Sequence, residues 1–93
     1  MKYIFDEEKN LKLKYERDIS FEEVIEAIEE KKVVKVLKHH NKGKYPLQEI
    51  MFVEIKDYIW EVPFLDGGDS LTLKTAYPSR KANAKYLKIQ CEE

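Results

Sequence analysis

SFEEVIEAIEEKKVVKVLK, residues 20–38, changes its hydrophobic period partway along, and that change decides the fold class. Phe21, Val24, Ile25 and Ile28 recur at i, i+3, i+4 and i+7, one face of a 3.6-residue helix. Ser20 and Glu23 stand at the spacing of a capping box, in which each side chain takes up a backbone N–H that the first helical turn leaves unpaired. Glu22, Glu26, Glu29 and Glu30 occupy the opposite face, and Lys31 and Lys32 complement the negative end of the helix dipole. From Val33 to Lys38 the residues turn β-branched, with Lys35 and Lys38 interleaved, which is a strand pattern. The helix is read as a core-packing element with no chemistry of its own.

Toward the N-terminus, Tyr3–Phe5 suits a short first strand, and Asp6 can cap a helix whose first turn holds Glu7 and Glu8. Leu11 and Tyr15, four apart, are the expected inner stripe of that helix, which runs to about Arg17. Beyond residue 38, His39 to Pro46 reads as a polar loop and Gln48–Ile55 as a strand covered on both faces. Lys56-Asp57 links it as a two-residue hairpin turn to Tyr58–Leu65. On that strand Tyr58, Trp60, Val62 and Phe64 share one face, read as core in preference to a base-stacking platform. Pro63 predicts an edge or a bulge, because it has no N–H for a ladder. Asp66-Gly67-Gly68-Asp69 is a turn, and a last strand begins at Leu71. Pro78 leads into a final helix with Ala82, Tyr86 and Ile89 toward one side. The expected architecture is a single α+β domain over residues 1–93: two N-terminal helices packed on an antiparallel sheet, with a closing C-terminal helix.

No apolar run approaches the ~20 residues of a membrane span, and MKYIFDEEKN lacks the apolar core of a signal peptide. The single cysteine, Cys91, cannot form an internal bridge, so a cytoplasmic location is expected. The formal charge of −1 hides an asymmetry. Residues 1–32 carry seven bases and ten acids; residues 33–91 carry ten bases and six acids. Two windows hold bases and no acid: Lys31 to Gln48, with both histidines, and Ser70 to Cys91. Brought together by the fold, they would make an anion-binding face.

Within the second window Arg80 is one of only two arginines in a chain with fifteen lysines, so it marks a job that needs a planar fork of donors. At the start of a helix its guanidinium and the backbone N–H groups could meet one phosphate, with Lys74, Lys81, Lys85 and Tyr86 nearby. Lysine, guanidinium and phenol around one phosphate suffice for metal-free RNA cleavage, in which the 2′-hydroxyl attacks and the cations stabilise the developing charge. In the first window His39 or His40 is a candidate acid, base or phosphate contact beside Lys38, Lys42 and Lys44. Adjacent histidines on a strand point to opposite faces, and no cysteine pair accompanies them, so neither a metal site nor a cofactor is expected. Gly67-Gly68 lacks the Gly-Lys-Ser of a phosphate loop, and no DNA-recognition helix is visible.

Phe5-Asp6-Glu7-Glu8-Lys9-Asn10, Lys14-Tyr15-Glu16-Arg17 and Ile19-Ser20-Phe21-Glu22-Glu23-Val24 together resemble the opening of BrnT-like toxins. Lys74-Thr75-Ala76-Tyr77-Pro78-Ser79-Arg80-Lys81-Ala82 is similar to their R-I-I-S-A-R-x-A segment at the end of the last strand. Phe5 stands where those toxins carry tryptophan, and Glu16-Arg17-Asp18 where they carry a K-H-G-like turn. The resemblance implies a RelE-like fold and the toxin half of a type II toxin–antitoxin pair. Such a toxin is a metal-free endoribonuclease that halts translation, acting on RNA that includes ribosome-associated mRNA. It also implies a small DNA-binding antitoxin as partner, through which oligomers form, and it matches Arg80 to the family's strand-end arginine. The alternative reading is a noncatalytic interaction module of the same fold that binds a partner through its basic face.

Overall fold

In the computed structural model, which describes residues 1–39, 41, 43–44 and 46–87, both N-terminal helices start at the residues able to cap them. The Asp6 carboxylate accepts the Glu8 N–H at 2.8 Å and opens α1, Glu7–Arg17. Ser20 Oγ accepts the Glu23 N–H at 3.2 Å, and Glu23 Oε2 accepts the Ser20 N–H at 3.0 Å, completing the capping box of α2, Phe21–Glu29. Phe21, Val24 and Ala27 of α2 are buried, with Ile25 and Ile28 half-buried against the same core.

The inner face of α1 differs from the expected one. Leu11 and Tyr15 are 63% and 93% exposed, and the buried residues are Asn10 and Leu13. A polar contact in the core explains the rotation. Asn10 Oδ1 accepts the Phe21 N–H at 2.7 Å, and its Nδ2 donates to Glu22 at 2.9 Å. The Phe21 N–H belongs to the first turn of α2 and has no partner within its own helix. Asn10 therefore acts as a second cap, delivered from the neighbouring helix, and turns Leu11 and Tyr15 outward.

The sheet is built from β1 (Lys2–Ile4), β2 (Val33–Lys38), β3 (Glu49–Ile55), β4 (Tyr58–Asp66), β5 (Ser70–Leu73) and β6 (Tyr77–Pro78). Its order is β1-β5-β4-β3-β2, with β6 also pairing β4. The sheet is mixed, not antiparallel throughout, because β1 lies parallel to β5 with Lys2 opposite Ser70. Parallel neighbours require a long crossover, and everything between residues 4 and 70 supplies it. The β3–β4 hairpin turns on Lys56 and Asp57, at φ 55° and 61°, the left-handed backbone that a two-residue hairpin demands.

Pro63 is buried in β4, a central strand, so the proline does not mark an outer edge. It marks a gap inside the ladder. β5 pairs with Phe64 to Asp66 and β6 with Trp60 and Glu61, leaving Pro63 at the interruption between them. The Pro63 carbonyl accepts the Lys74 N–H at 2.9 Å on that side. The donor that proline lacks would point the same way, where no strand continues to need it.

Met51, Val53 and Ile55 of β3, Trp60, Val62 and Phe64 of β4, and Leu73 of β5 pack with Leu13, Phe21, Val24 and Ala27 in one core. The aromatic stripe on β4 is thus core. At the C-terminal end Ser79 Oγ accepts the Ala82 N–H at 3.2 Å and starts α3, Arg80–Ala82. In place of a regular helix the chain continues as a π-helical turn, Asn83–Leu87. There Asn83 Oδ1 takes the Ile59 N–H at 3.1 Å, while the Tyr86 ring lies 5.8 Å from that of Phe52. Ala82 and Tyr86 do face the sheet. Ile89 and Cys91 lie outside the described residues. Among the described residues no helix is long and apolar enough to cross a membrane.

Candidate functional site

The sheet has a second face, opposite α2, and strand register decides what it carries. The β2–β3 ladder slips between Val33 and Lys35, so that Lys35 lies opposite Phe52 and Leu37 opposite Ile50 on this second face. One step on, the His39 N–H donates to the Gln48 carbonyl at 3.0 Å, which carries both residues past the end of the ladder. Ile50 is opposite Pro63, and Glu61 is opposite Tyr77. Period-2 alternation therefore collects His39, Gln48, Pro63 and Tyr77 on one side.

These residues line a cleft of about 350 Å³, completed by Lys74, Thr75 and Lys9. The Lys74 backbone is held to Pro63, and Lys9 reaches in from the first turns of α1. The cleft is lined by two ammonium groups, an imidazole, an amide, a hydroxyl and a phenol and, among the described residues, by no carboxylate. His39 is buried, and its Nδ1 accepts the Asn41 N–H at 3.0 Å. With Nδ1 used as an acceptor, the neutral ring carries its proton on Nε2. The lining of the cleft as a whole suits an anion.

The wall of the cleft formed by Tyr77 is also its boundary. The Tyr77 hydroxyl donates to Glu61 Oε1 at 3.1 Å. At Glu61 a groove of about 410 Å³ opens, lined by that carboxylate and by Leu37, Phe52, Lys81, Lys85 and Tyr86 among others. The Lys85 ammonium lies 5.4 Å from the centre of the Tyr86 ring. Burial, then the charge of Glu61 and its hydrogen bond, push the Tyr77 phenol up to about 12, with Arg17 pulling the other way. The phenol is therefore protonated throughout the neutral range.

The raised value has a consequence at high pH. The folded state holds the Tyr77 proton more tightly than the unfolded chain, whose tyrosines titrate near 10. The associated stability is fully present below pH 10 and is lost as pH rises toward 12. Tyr3, also pushed up to about 12 by burial and by its bond to Glu29, acts in the same sense. An ultraviolet titration should show Tyr3 and Tyr77 ionising late, and Tyr77→Phe should remove one late step and flatten the alkaline loss of stability. Ionisation of Tyr77 near pH 10 would contradict this assignment.

The residues singled out in the sequence divide among these features. His39 and Lys74, one from each acid-free window, meet in the cleft. Lys81, Lys85 and Tyr86 line the adjoining groove. Arg80 is exposed at the first residue of α3 and lines neither hollow. Lys38 is exposed and paired in register with Glu49 on the α2 side of the sheet, and Lys44 is exposed in the loop. His40 and Lys42 lie outside the described residues. Sequence reasoning missed Lys9, Gln48, Thr75 and Tyr77. Lys9 was hidden within the acidic N-terminal third, and the other three are types that carry no charge to follow.

No known protein family matches the chain, and no curated protein or solved structure matches it either.

Proposed function

We propose that the protein is a BrnT-like toxin of RelE-like fold, the endoribonuclease of a type II toxin–antitoxin pair, acting in the cytoplasm to block translation. The observation that carries this reading is the carboxylate-free cleft in which Lys9, His39 and Lys74 converge. A phosphodiester is an anion, and its transition state for cleavage gathers more charge on the phosphoryl oxygens. In the proposed reaction the ribose 2′-oxygen attacks phosphorus and loses its proton to solvent. The bond from phosphorus to the 5′-oxygen breaks, that oxygen takes a proton from solvent, and a 2′,3′-cyclic phosphate and a 5′-hydroxyl remain. Lys74 and Lys9 stabilise the phosphoryl oxygens, and the His39 imidazole lies beside them in the cleft. Thr75 and Gln48 offer hydrogen bonds to the ribose or base, and Arg80 grips a phosphate outside the cleft.

The protein expressed alone should arrest growth, and Arg80→Ala should weaken the arrest. Purified protein should cut labelled RNA in the presence of EDTA and leave cyclic phosphate ends. A harmless protein that leaves RNA intact would end this reading.

The groove supports a second reading, in which the chain is a noncatalytic module binding a partner protein. Leu37, Phe52 and Tyr86 give it an apolar floor under Lys81 and Lys85, and Leu37 is 45% exposed on the outer strand β2. An acidic segment with apolar side chains would fit there. In the toxin reading the same groove receives the antitoxin, so RNA cleavage, not partner binding, separates the two.

A further inference from the structure

Two further hollows share lining residues with the cleft, and the three are taken together as one furrow. Lys9 lines all three. Lys74 is shared with the hollow on the Phe5 side, and Thr75 and Tyr77 with the hollow on the Arg17 side. One wall is α1, contributing Lys9, Lys12, Glu16 and Arg17 together with its cap Asp6; the other is the segment 72–77. At 1.5 Å per helical residue the α1 wall is about 16 Å long.

The charge along the furrow is distributed unevenly. Lys9, Lys12, Arg17 and Lys74 face it, and the two carboxylates that line it, Asp6 and Glu16, come from the α1 side. Asp6 is occupied in capping α1 through the Glu8 N–H. Arg17 is the best-fixed cation, because its Nη1 donates to the Ala76 carbonyl at 2.8 Å across the furrow. That bond uses one of the five guanidinium donors and orients the planar fork beside Tyr77. The preference for lysine that singles out Arg80 applies equally to Arg17, the chain's other arginine. Arg17 is the one that the fold brings to the hollow beside the cleft.

We infer that this furrow is a track for single-stranded RNA, in which Arg17 and Lys12 hold phosphates on one side of the phosphate bound by Lys9 and Lys74. The inference rests on the ribonuclease reading and extends it from one phosphate to a stretch of backbone. Tyr77 gives a base a ring face against which to lie.

The test is the salt dependence of binding for a fluorescent single-stranded oligoribonucleotide methylated at its 2′-oxygens, which cannot be cut. For a single strand, each phosphate that is no longer neutralised by the protein should reduce the slope of log affinity against log salt by about 0.7. Lys12→Ala should lower the slope by that amount, and Lys12→Ala with Arg17→Ala by about twice as much. Arg17→Lys keeps the charge but not the fork, and should weaken binding with little change of slope. Lys31→Ala, beyond the end of α2, should leave the slope as it is. Circular dichroism of each variant shows that it is folded. Unchanged slopes in folded Lys12 and Arg17 variants would overturn the track, and the ribonuclease reading would survive if the wild type still cuts RNA. Failure of the wild type to bind or cut any RNA would remove both.

Discussion

On the proposed ribonuclease reading, His39→Ala is expected to slow RNA cleavage by about 10²- to 10³-fold, the loss typical of removing one preorganised polar group from around a developing oxyanion. The size of the effect follows from how the ring is held. The Asn41 N–H on Nδ1 and the tie of the His39 backbone to Gln48 hold the ring in the cleft before substrate arrives. His39→Gln keeps an N–H donor without a titrating ring and should recover part of the rate. Single-turnover cleavage of a labelled RNA measures both variants, and thermal melts report whether loss of a buried ring has disturbed the fold. A folded His39→Ala protein that cuts at the wild-type rate would exclude His39 from the chemistry.

Asn10→Ala is expected to cost about 2–3 kcal/mol, because it leaves the buried Phe21 N–H without an acceptor and removes a tightly packed side chain. In a domain of this size that is roughly a 10–20 °C fall in melting temperature. Leu11→Ala, one residue along the same helix, removes an exposed side chain and should cost under about 0.5 kcal/mol. Equal losses from the two substitutions would refute the inter-helix cap. The same contact is linked to pH. The Asn10 hydrogen bond, followed by the backbone N–H at the head of α2, holds the Glu22 carboxyl below its ordinary 4.5. Its contribution is present above that value and is lost as pH falls through the lower folded one. Asn10→Ala should therefore also flatten the acid limb of the stability profile.

Asn10 shows where sequence reasoning stops. Ser20 and the switch of period after Lys32 place α2 and β2 well, because a capping box and a β-branched run are local signals. An amphipathic pattern, in contrast, assumes that buried means apolar. On α1 it selects Leu11 and Tyr15 and passes over the amide that sets the helix orientation. Pro63 is legible as a break in pairing but not as a break inside a central strand, since that depends on where β5 ends and β6 begins. The two acid-free windows point to His39 and Lys74, whereas net charge counted by segment conceals Lys9 and Arg17. A side chain joins a site by its direction, and the average charge of its neighbours in sequence does not set that.

The parallel pairing of β1 with β5 governs the order of folding. Lys2 to Ile4 find their partners only when Ser70 to Thr72 exist, and the walls of the furrow come from the same two distant parts of the chain. Closing so long a loop is entropically costly and slow compared with forming a hairpin. As the chain leaves the ribosome, the helices and the β3–β4 hairpin can form early, but the cleft has only one wall. The cleft is therefore completed only when the segment that follows β5, with Lys74, Thr75 and Tyr77, has joined the fold.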